Sequence, residues 1–351
     1  MRCNVWFIFF LILSKCCLAQ LFPVYNYTAF SEKPELLNQL RANHVYFLGE
    51  EHGVKETDVA EARMIELIGH SNARILLEGP YERNFGLYEV FVEHDSSNYQ
   101  IESFHPYKTN LLRFIYNNNL PVKTMDIVML SQFRYFALEI KDLYKTKQYG
   151  EQVSRDLELL ISASENYRYG KADSLDLYLL LIAEFGKHKA EHEAALGKRY
   201  GMVEECFGAL KAAVMAYKEK DKLLPYHSNA REDFMFSVFS KEINQNPQSK
   251  LISVNGQDHI SLDSTMIPLD FVHKSWRPLC HKIKAAYPNK KVCSIYLVKR
   301  NHIGFFKKVS HKDYRNLYRL TRRHTTYIVP LTEAGSAFKD LKNKVNHIVV
   351  Y

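Results

Sequence analysis

The amino-acid sequence predicts an α/β protein with a mostly parallel, twisted central sheet, flanked by helices and interrupted by an all-helical insertion. In residues 44–80, a short apolar run, an amphipathic segment and a second apolar run follow one another as strand, helix and strand. This alternation returns near the C-terminal end, whereas residues 131–219 have almost no strand pattern. Strands that alternate with helices indicate βαβ units and therefore parallel pairing.

Length and composition are those of a globular chain. The 351 residues, 46% of them hydrophobic, suffice for a substantial core in one large domain or in one domain with an insertion. The formal net charge of +8 is modest, and the lysines and arginines are spread along the chain without aromatic interleaving. We therefore expect no nucleic acid as partner.

The first 19 residues have the features of a secretory signal peptide. Arg2 gives a basic start, residues 5–13 are continuously apolar, and Cys17-Leu18-Ala19 offers the small residues that a signal peptidase recognises. The apolar run is far shorter than the roughly 20 residues of a membrane-spanning helix. We expect cleavage after Ala19, no stable membrane span afterwards, and an exported protein, periplasmic or extracellular.

Three cysteines remain beyond that segment, namely Cys206, Cys280 and Cys293. An odd and widely spaced set does not describe a disulfide framework. Cys280 and Cys293 could pair after export, but buried free thiols are the interpretation that we favour.

The N-terminal part of the chain is predicted to alternate between helices and strands. Pro34 and Thr109 are suitable residues to begin helices, and Asp126 follows the third strand. Residues 94–108, rich in Asp, Ser, Asn and Tyr, are predicted to be a loop. The expected helices span residues 35–41, 54–68, 83–92 and 109–116, and the expected strands span 44–48, 75–77 and 122–125.

The next stretch has apolar residues at helical spacing, punctuated by Gly150, Gly170 and 197–201. We expect residues 131–225 to form a helical insertion that covers the active edge of the sheet, and residues 20–130 and 226–351 to form one α/β domain of catalytic type. The expected helices of the insertion span 133–144, 152–163, 174–196 and 202–217. Beyond it we expect helices over 230–242 and 276–286 and strands over 251–254, 292–298, 327–329 and 347–350.

Polar side chains stand at or beyond the ends of the predicted strands. Gly49-Glu50-Glu51-His52-Gly53 follows the first strand, Glu78 the second, and Asn255-Gly256-Gln257-Asp258-His259 a later one. In open α/β sheets, ligands bind in the crevice outside the carboxyl ends of the strands. The candidate catalytic residues are Glu50, His52, Glu56, Glu78, Arg231 and His259.

These residues resemble the signature of the erythromycin esterase family. A strand that ends in LGE, a histidine and glycine that follow, and Lys55-Glu56 are similar to its GExxHG and (R/K)E motifs. Arg231 and Met235 open a helix that precedes a strand and a turn with Asn, Gly and His, as in that family. Only one residue separates Glu50 from His52, whereas the family usually has two. This shorter spacing is similar to that of the wider superfamily, which includes ChaN-type haem-binding lipoproteins and Tiki metalloproteases. Only His259 matches the family's His-Asn-His ending.

The resemblance implies a metal-free hydrolysis of the kind that this family performs on the lactone ring of macrolides. The residues that match the family's catalytic set are Glu50, His52, Glu78, Arg231 and His259.

The residue types themselves suit ester hydrolysis by a water molecule. His52 can accept a proton from water, and Glu50 or Glu78 can accept its other N–H, which raises its basicity. Arg231 stays protonated and would hold an oxyanion or a substrate carboxylate. His259 would be a second base, or the acid that protonates the departing alcohol. This mechanism needs no cofactor. The partner that we expect is a small-molecule substrate, and the aromatic-rich insertion suits an apolar one.

Other interpretations use the same atoms. Two histidines and two carboxylates at strand ends could hold a divalent ion such as Zn, Mn or Fe, which would make a metal-dependent hydrolase or protease. The chain could also be a non-catalytic haem-binding or small-ligand-binding envelope protein. In a third interpretation, the residues only cap strand ends and pair with each other.

A second motif lies in the insertion. His188 and His192 match HxxEH, in which two histidines share a helix face and can bind zinc. Because lysines and glutamates surround them, we expect a solvated helix face and a structural or solvent-exposed role.

Overall fold

A computed structural model describes residues 24–52, 54, 56–93, 108–165, 172–218, 228–263, 277–301, 318–319, 321, 325–331, 341 and 343–351. These residues include an eight-stranded sheet with the order β1-β7-β8-β6-β2-β5-β3-β4. Its strands are Tyr25–Asn26 (β1), Val45–Glu50 (β2), Ala73–Pro80 (β3), Val122–Asp126 (β4), Lys250–Gly256 (β5), Val292–Val298 (β6), Tyr327–Pro330 (β7) and His347–Val350 (β8).

Most of the sheet is parallel. The pairs from β8 through β6, β2, β5 and β3 to β4 are parallel, whereas β7 is antiparallel to both β8 and β1. Helices flank this sheet, so the predicted α/β class with a mostly parallel central sheet is confirmed.

The helices in the described residues fall before, between and after the strands. Those of the N-terminal part are Tyr27–Ser31 (α1), Pro34–Arg41 (α2), Thr57–Ile68 (α3), Asn84–Phe91 (α4) and Thr109–Asn117 (α5). Between β4 and β5 lie Phe133–Asp142 (α6), Glu151–Glu165 (α7), Ala172–Lys187 (α8), Lys189–Leu196 (α9), Tyr200–Lys218 (α10) and Asn229–Gln245 (α11). Leu279–Ala286 (α12) precedes β6.

Some predicted elements differ from the observed ones. The single helix expected over 174–196 is two helices, α8 and α9, separated at His188. Gly186, a poor helix former, stands just before this break. The helix expected from Trp276 begins at Leu279, directly after Pro278; Trp276 itself and the predicted loop residues 94–107 lie outside the described residues. Neither β1 nor α1 was predicted.

Strand β2 is buried on both faces, as is usual for a central parallel strand. Val45 and Phe47 join a core cluster with residues of α6, α7, α8 and α10, whereas Tyr46 and Leu48 join a cluster with residues of α2, α3 and α5. Phe47 stacks on Phe239 of α11 with ring centroids 5.2 Å apart. This packing holds α11 against the sheet. The first turn of α11 therefore lies near the carboxyl ends of the strands.

The helices that follow β4 pack on one face of the sheet. The boundaries given above for the helical insertion and the α/β domain stay predictions. The three cysteines are buried and free, as expected. None of the helices within the described ranges combines the length and the apolar character of a membrane span.

Candidate active site

The carboxyl ends of the central strands are in register. Glu50, the last residue of β2, pairs with Gly256, the last residue of β5. The register of β3 against β4 shifts between Leu77 and Pro80, so Glu78 stands in an irregular stretch of its strand. Such irregularities occur beside active sites, where they redirect a side chain.

Glu78 is the centre of the site. Its Oε1 accepts a hydrogen bond from Arg231 Nη2 at 2.5 Å, and its Oε2 accepts one from the Gly256 backbone N–H at 2.5 Å. The Nε2 atoms of His259 and His52 lie 3.4 Å and 3.6 Å from Oε1. Burial alone would raise the pKa of Glu78, but His259 and Arg231 hold it well below its usual range. Glu78 is therefore ionised.

Arg231 is fixed by a second carboxylate. Its Nε and Nη2 donate to the two oxygens of Asp126 at 2.7 Å each, a bidentate arrangement that sets the plane of the guanidinium. The Ser228 hydroxyl caps α11 by accepting from the Arg231 backbone N–H at 3.2 Å. Arg231 thus holds Glu78 in place; its predicted contact with an oxyanion or a substrate stays a prediction.

His52 faces two carboxylates. Its Nδ1 lies 3.3 Å from Glu50 Oε1 while its Nε2 lies 3.6 Å from Glu78, and 63% of the side chain is exposed. The pKa of His52 is raised to about 10, mainly by its hydrogen bond to Glu50 and, as the next largest cause, by Glu78. Because both ring nitrogens face acceptors, His52 is an imidazolium in this arrangement. It can act as a base only after it has lost that proton.

Gly256 leaves the space that lets His52 lie close to Glu78. A Cβ atom at that position would lie 2.5 Å from His52 Nε2 and 3.3 Å from Glu78 Oε2. A side chain on residue 256 would therefore force His52 away from Glu78.

His259 is almost fully buried between two carboxylates. Its Nδ1 lies 2.6 Å from Oε1 of Glu232, which is itself completely buried, and its Nε2 faces Glu78. Burial lowers the pKa of His259, but Glu232 and Glu78 outweigh burial and raise it to about 10. His259 is therefore a cation that can donate a proton.

Glu232 was not predicted as a site residue. A glutamate in the first turn of a helix is ordinarily solvent-exposed and favourable to the helix dipole. The signal that could have found it is its spacing, because Glu232 shares a helix face with the buried Met235, Phe239 and Ile243.

Lys108 and Glu61 were also not predicted. Lys108 Nζ donates to Glu50 and to Glu61, and both carboxyl groups are buried. Burial alone would raise the pKa of Glu50, but His52 and Lys108 lower it to about 2. Glu61 lies one helical turn from Ile65 on the buried face of α3, a signal that the sequence offered. Lys108 stood at the end of the predicted loop and offered none.

The structure brings five of the six candidates together and places Glu56 elsewhere. Glu56 has a 61% exposed side chain and pairs with Lys299 at 2.9 Å. Within the described ranges, the ion pairs that connect the other five candidates do not include Glu56.

The HxxEH histidines do not lie on a solvated face, so that part of the prediction is wrong, whereas the structural role named beside it agrees with their contacts. His192 is fully buried, with Nε2 3.0 Å from Asp156 Oδ2 and Nδ1 2.7 Å from the Tyr144 hydroxyl. His188 Nδ1 lies 2.8 Å from the same Asp156 oxygen. The flanking charges misled the sequence interpretation because the side chains of Lys187, Lys189 and Glu193 are exposed although the histidine among them is buried. The described ranges contain no group of three or more His, Cys, Asp or Glu residues arranged to hold a metal ion.

The sequence matches no protein-family model and no curated protein. Among solved structures, a Bacillus cereus protein has a TM-score of 0.64 and 14% identity, over 93% of this chain and 92% of that one. A mutant of the erythromycin esterase EreC, in its open conformation, has a TM-score of 0.55 and 13% identity, over 90% of this chain and 92% of that one. ChaN of Campylobacter jejuni with cofacially bound haem has a TM-score of 0.39 and 10% identity, over 94% of this chain and 96% of that one.

At these identities the first two structures show a shared fold and no more. The chain therefore has a distant structural relationship to an erythromycin esterase. The site at the ends of its strands is a cluster of largely buried carboxylates with a buried guanidinium, the buried imidazole of His259 and the exposed imidazole of His52.

Proposed function

We propose that this protein is a hydrolase that cleaves an ester or lactone bond in a small apolar substrate. The observation that carries the proposal is the convergence of His52, His259 and Arg231 on the single carboxylate of Glu78. The fold shared with an erythromycin esterase supports the same reaction class by analogy.

In the proposed reaction, His52 acts in its neutral form and takes a proton from a water molecule. The water oxygen bonds to the carbonyl carbon, and Glu50 stabilises the imidazolium that forms. Arg231 and His259 supply positive charge where the carbonyl oxygen becomes negative. The bond to the alkoxy oxygen then breaks, and His259 donates its proton to that oxygen, so an acid and an alcohol leave.

The test is a panel of esters and lactones assayed with the wild-type protein and with His52→Gln. We expect the substitution to lower kcat/KM by about 100-fold or more, the usual contribution of a positioned base. The matched control is His70→Gln, a histidine that packs against Phe114 and should leave turnover unchanged. Equal turnover by His52→Gln and wild type would remove His52 from the mechanism.

We propose further that the reaction needs no metal, because the guanidinium of Arg231 beside Glu78 would oppose a bound cation. Dialysis against a chelator should leave turnover unchanged, and elemental analysis of the active protein should find less than one metal ion per chain. Loss of activity on chelation, restored by Zn, Mn or Fe, would favour the metal-dependent alternative.

A further inference from the structure

A buried lysine stands behind the proposed base. Lys108, just before α5, is 7% exposed in its side chain, and its Nζ donates to Glu50 Oε2 and, at 2.5 Å, to Glu61 Oε1. A buried ammonium is costly unless it is paired, and here two carboxyl groups pair with it. The described contacts of Lys108 Nζ are with these groups, one of which belongs to the candidate site.

The two oxygens of Glu50 have different partners. Oε2 accepts from Lys108, whereas Oε1 lies 3.3 Å from His52 Nδ1. The bond to Lys108 therefore fixes the rotation of the carboxylate and leaves the other oxygen for the imidazole. A carboxylate without that bond could turn about its last torsion, which is broad and soft.

Lys108 is itself held by its surroundings. The first turn of α5 is joined to α3 by Asn110, whose backbone N–H donates to Asp58 Oδ2 at 2.8 Å and whose Nδ2 donates to Asp58 Oδ1 at 3.2 Å. The backbone beside Lys108 is thus anchored independently of its ammonium. A substitution at Lys108 can remove the charge while this anchor remains.

Burial and the neighbouring charges together set the charges of the cluster. Glu61 is completely buried; burial and the neighbouring Glu50 raise its pKa well above the usual range, although Lys108 opposes them. Burial alone would lower the pKa of Lys108, but Glu61 and Glu50 raise it. Tyr351, which bonds to Thr57 at 2.5 Å, stays neutral because burial raises its pKa. Lys108 is the cation, Glu50 the anion, and Glu61 a neutral acid.

We propose that Lys108 is a positioning residue that keeps Glu50 ionised and turned toward His52. The importance of this role for turnover rests on the proposed hydrolase, but the role itself can be measured without any substrate.

The experiment follows the protonation of Glu50 through its neighbour. The full chain is labelled with ¹⁵N-histidine, and the His52 Nδ1 resonance, assigned by its absence in His52→Gln, is recorded from pH 8 down to pH 3. In the wild type we expect no step in this range, because Glu50 stays ionised. In Lys108→Met we expect a step that reports a pKa of Glu50 raised by about 2 units, since one of the two cations that oppose the effect of burial is then absent and only His52 remains.

The matched control is Lys123→Met. Lys123 also pairs with two carboxylates, Glu205 at 3.0 Å and Glu242 at 3.8 Å, but neither belongs to the candidate site. This variant should give the wild-type titration. A titration of Lys108→Met equal to that of the wild type, or an equal step in Lys123→Met, would overturn the proposal.

If Lys108→Met does not fold, Lys108→Gln replaces it, because its amide keeps a hydrogen-bond donor and removes the charge. A step in the same direction is expected, and its absence would overturn the proposal. The outcome is separate from that of the ester panel: a protein that hydrolyses no ester can still show the step, and an active esterase can lack it.

Discussion

Glu78 carries a negative charge that two histidines share. His52 and His259 approach the same oxygen from different segments, and a second carboxylate faces the other nitrogen of each ring. Each imidazole is therefore stabilised as a cation, which suits an acid and opposes a base. In the proposed mechanism, the buried His259 is therefore the proton donor, and the exposed His52 is the group that must lose its proton to become active.

The pH dependence of turnover should reflect these charges. The pKa of His52 is raised to about 10, so its neutral form is scarce at pH 7 and increases as the pH rises. The pKa of His259 is also raised to about 10, so the acid survives until the same range. We expect kcat/KM to rise about tenfold per pH unit from pH 7 and to reach a maximum near pH 10.

Initial rates between pH 6 and pH 10.5 on one ester measure this profile. A maximum close to pH 6.5, the value of an ordinary imidazole, would show that Glu50 and Glu78 do not charge His52 during turnover.

The sequence indicated some of these residues and not others for a physical reason. Glu50, Glu78 and His259 could be predicted because each lies at the end of an apolar run or in the turn that follows it, and the ends of parallel strands meet at one edge of the sheet. Lys108 acts through contacts between elements distant in sequence, and its own neighbours do not reveal it. The spacing of Glu232 on the apolar face of α11 was the available clue.

Helix α11 contributes two groups to the site from its first turn. Ser228 caps the helix, and the following residues include Arg231 and Glu232, which are both buried. The stacking of Phe239 on Phe47 holds the same helix against β2. A secure N-terminus is therefore a requirement for the geometry around Glu78.

The Ser228→Ala substitution tests this requirement. It removes the acceptor of the Arg231 N–H bond, and we expect a loss of about 1 kcal/mol in the free energy of unfolding. Urea denaturation should show a lower midpoint with an unchanged slope. The control is Ser237→Ala in the same helix, where the exposed hydroxyl only donates to the Phe234 carbonyl and the change should be smaller. Equal midpoints for Ser228→Ala and wild type would contradict the capping role.

The limits of sequence interpretation are clearest between α8 and α9. Apolar periodicity continues across His188, so one helix was predicted where two exist. The break is accompanied by contacts of His188 and His192 with Asp156 of α7, a partner more than 30 residues away. The local spacing of apolar residues gives no information about such a distant contact. Strands β2, β5 and β6 were predicted within two residues of their observed bounds because burial on both faces gives continuous apolar runs.

The whole molecule joins two distant parts of the chain at one edge of the sheet. The strand order places β5, from the C-terminal part, between β2 and β3 of the N-terminal part. This interleaving is the reason that Gly256 and His259 lie beside Glu50 and Glu78. A chain whose two parts formed separate sheets could not build this site.

A double-mutant cycle tests most directly whether the two parts perform one reaction. The kcat/KM of wild type, His52→Gln, His259→Gln and the double variant would be measured on the best ester of the panel. Residues that act as a unit have non-additive effects, so we predict that the double variant loses about as much activity as the more impaired single variant. Losses that multiply, as for independent sites, would contradict the account.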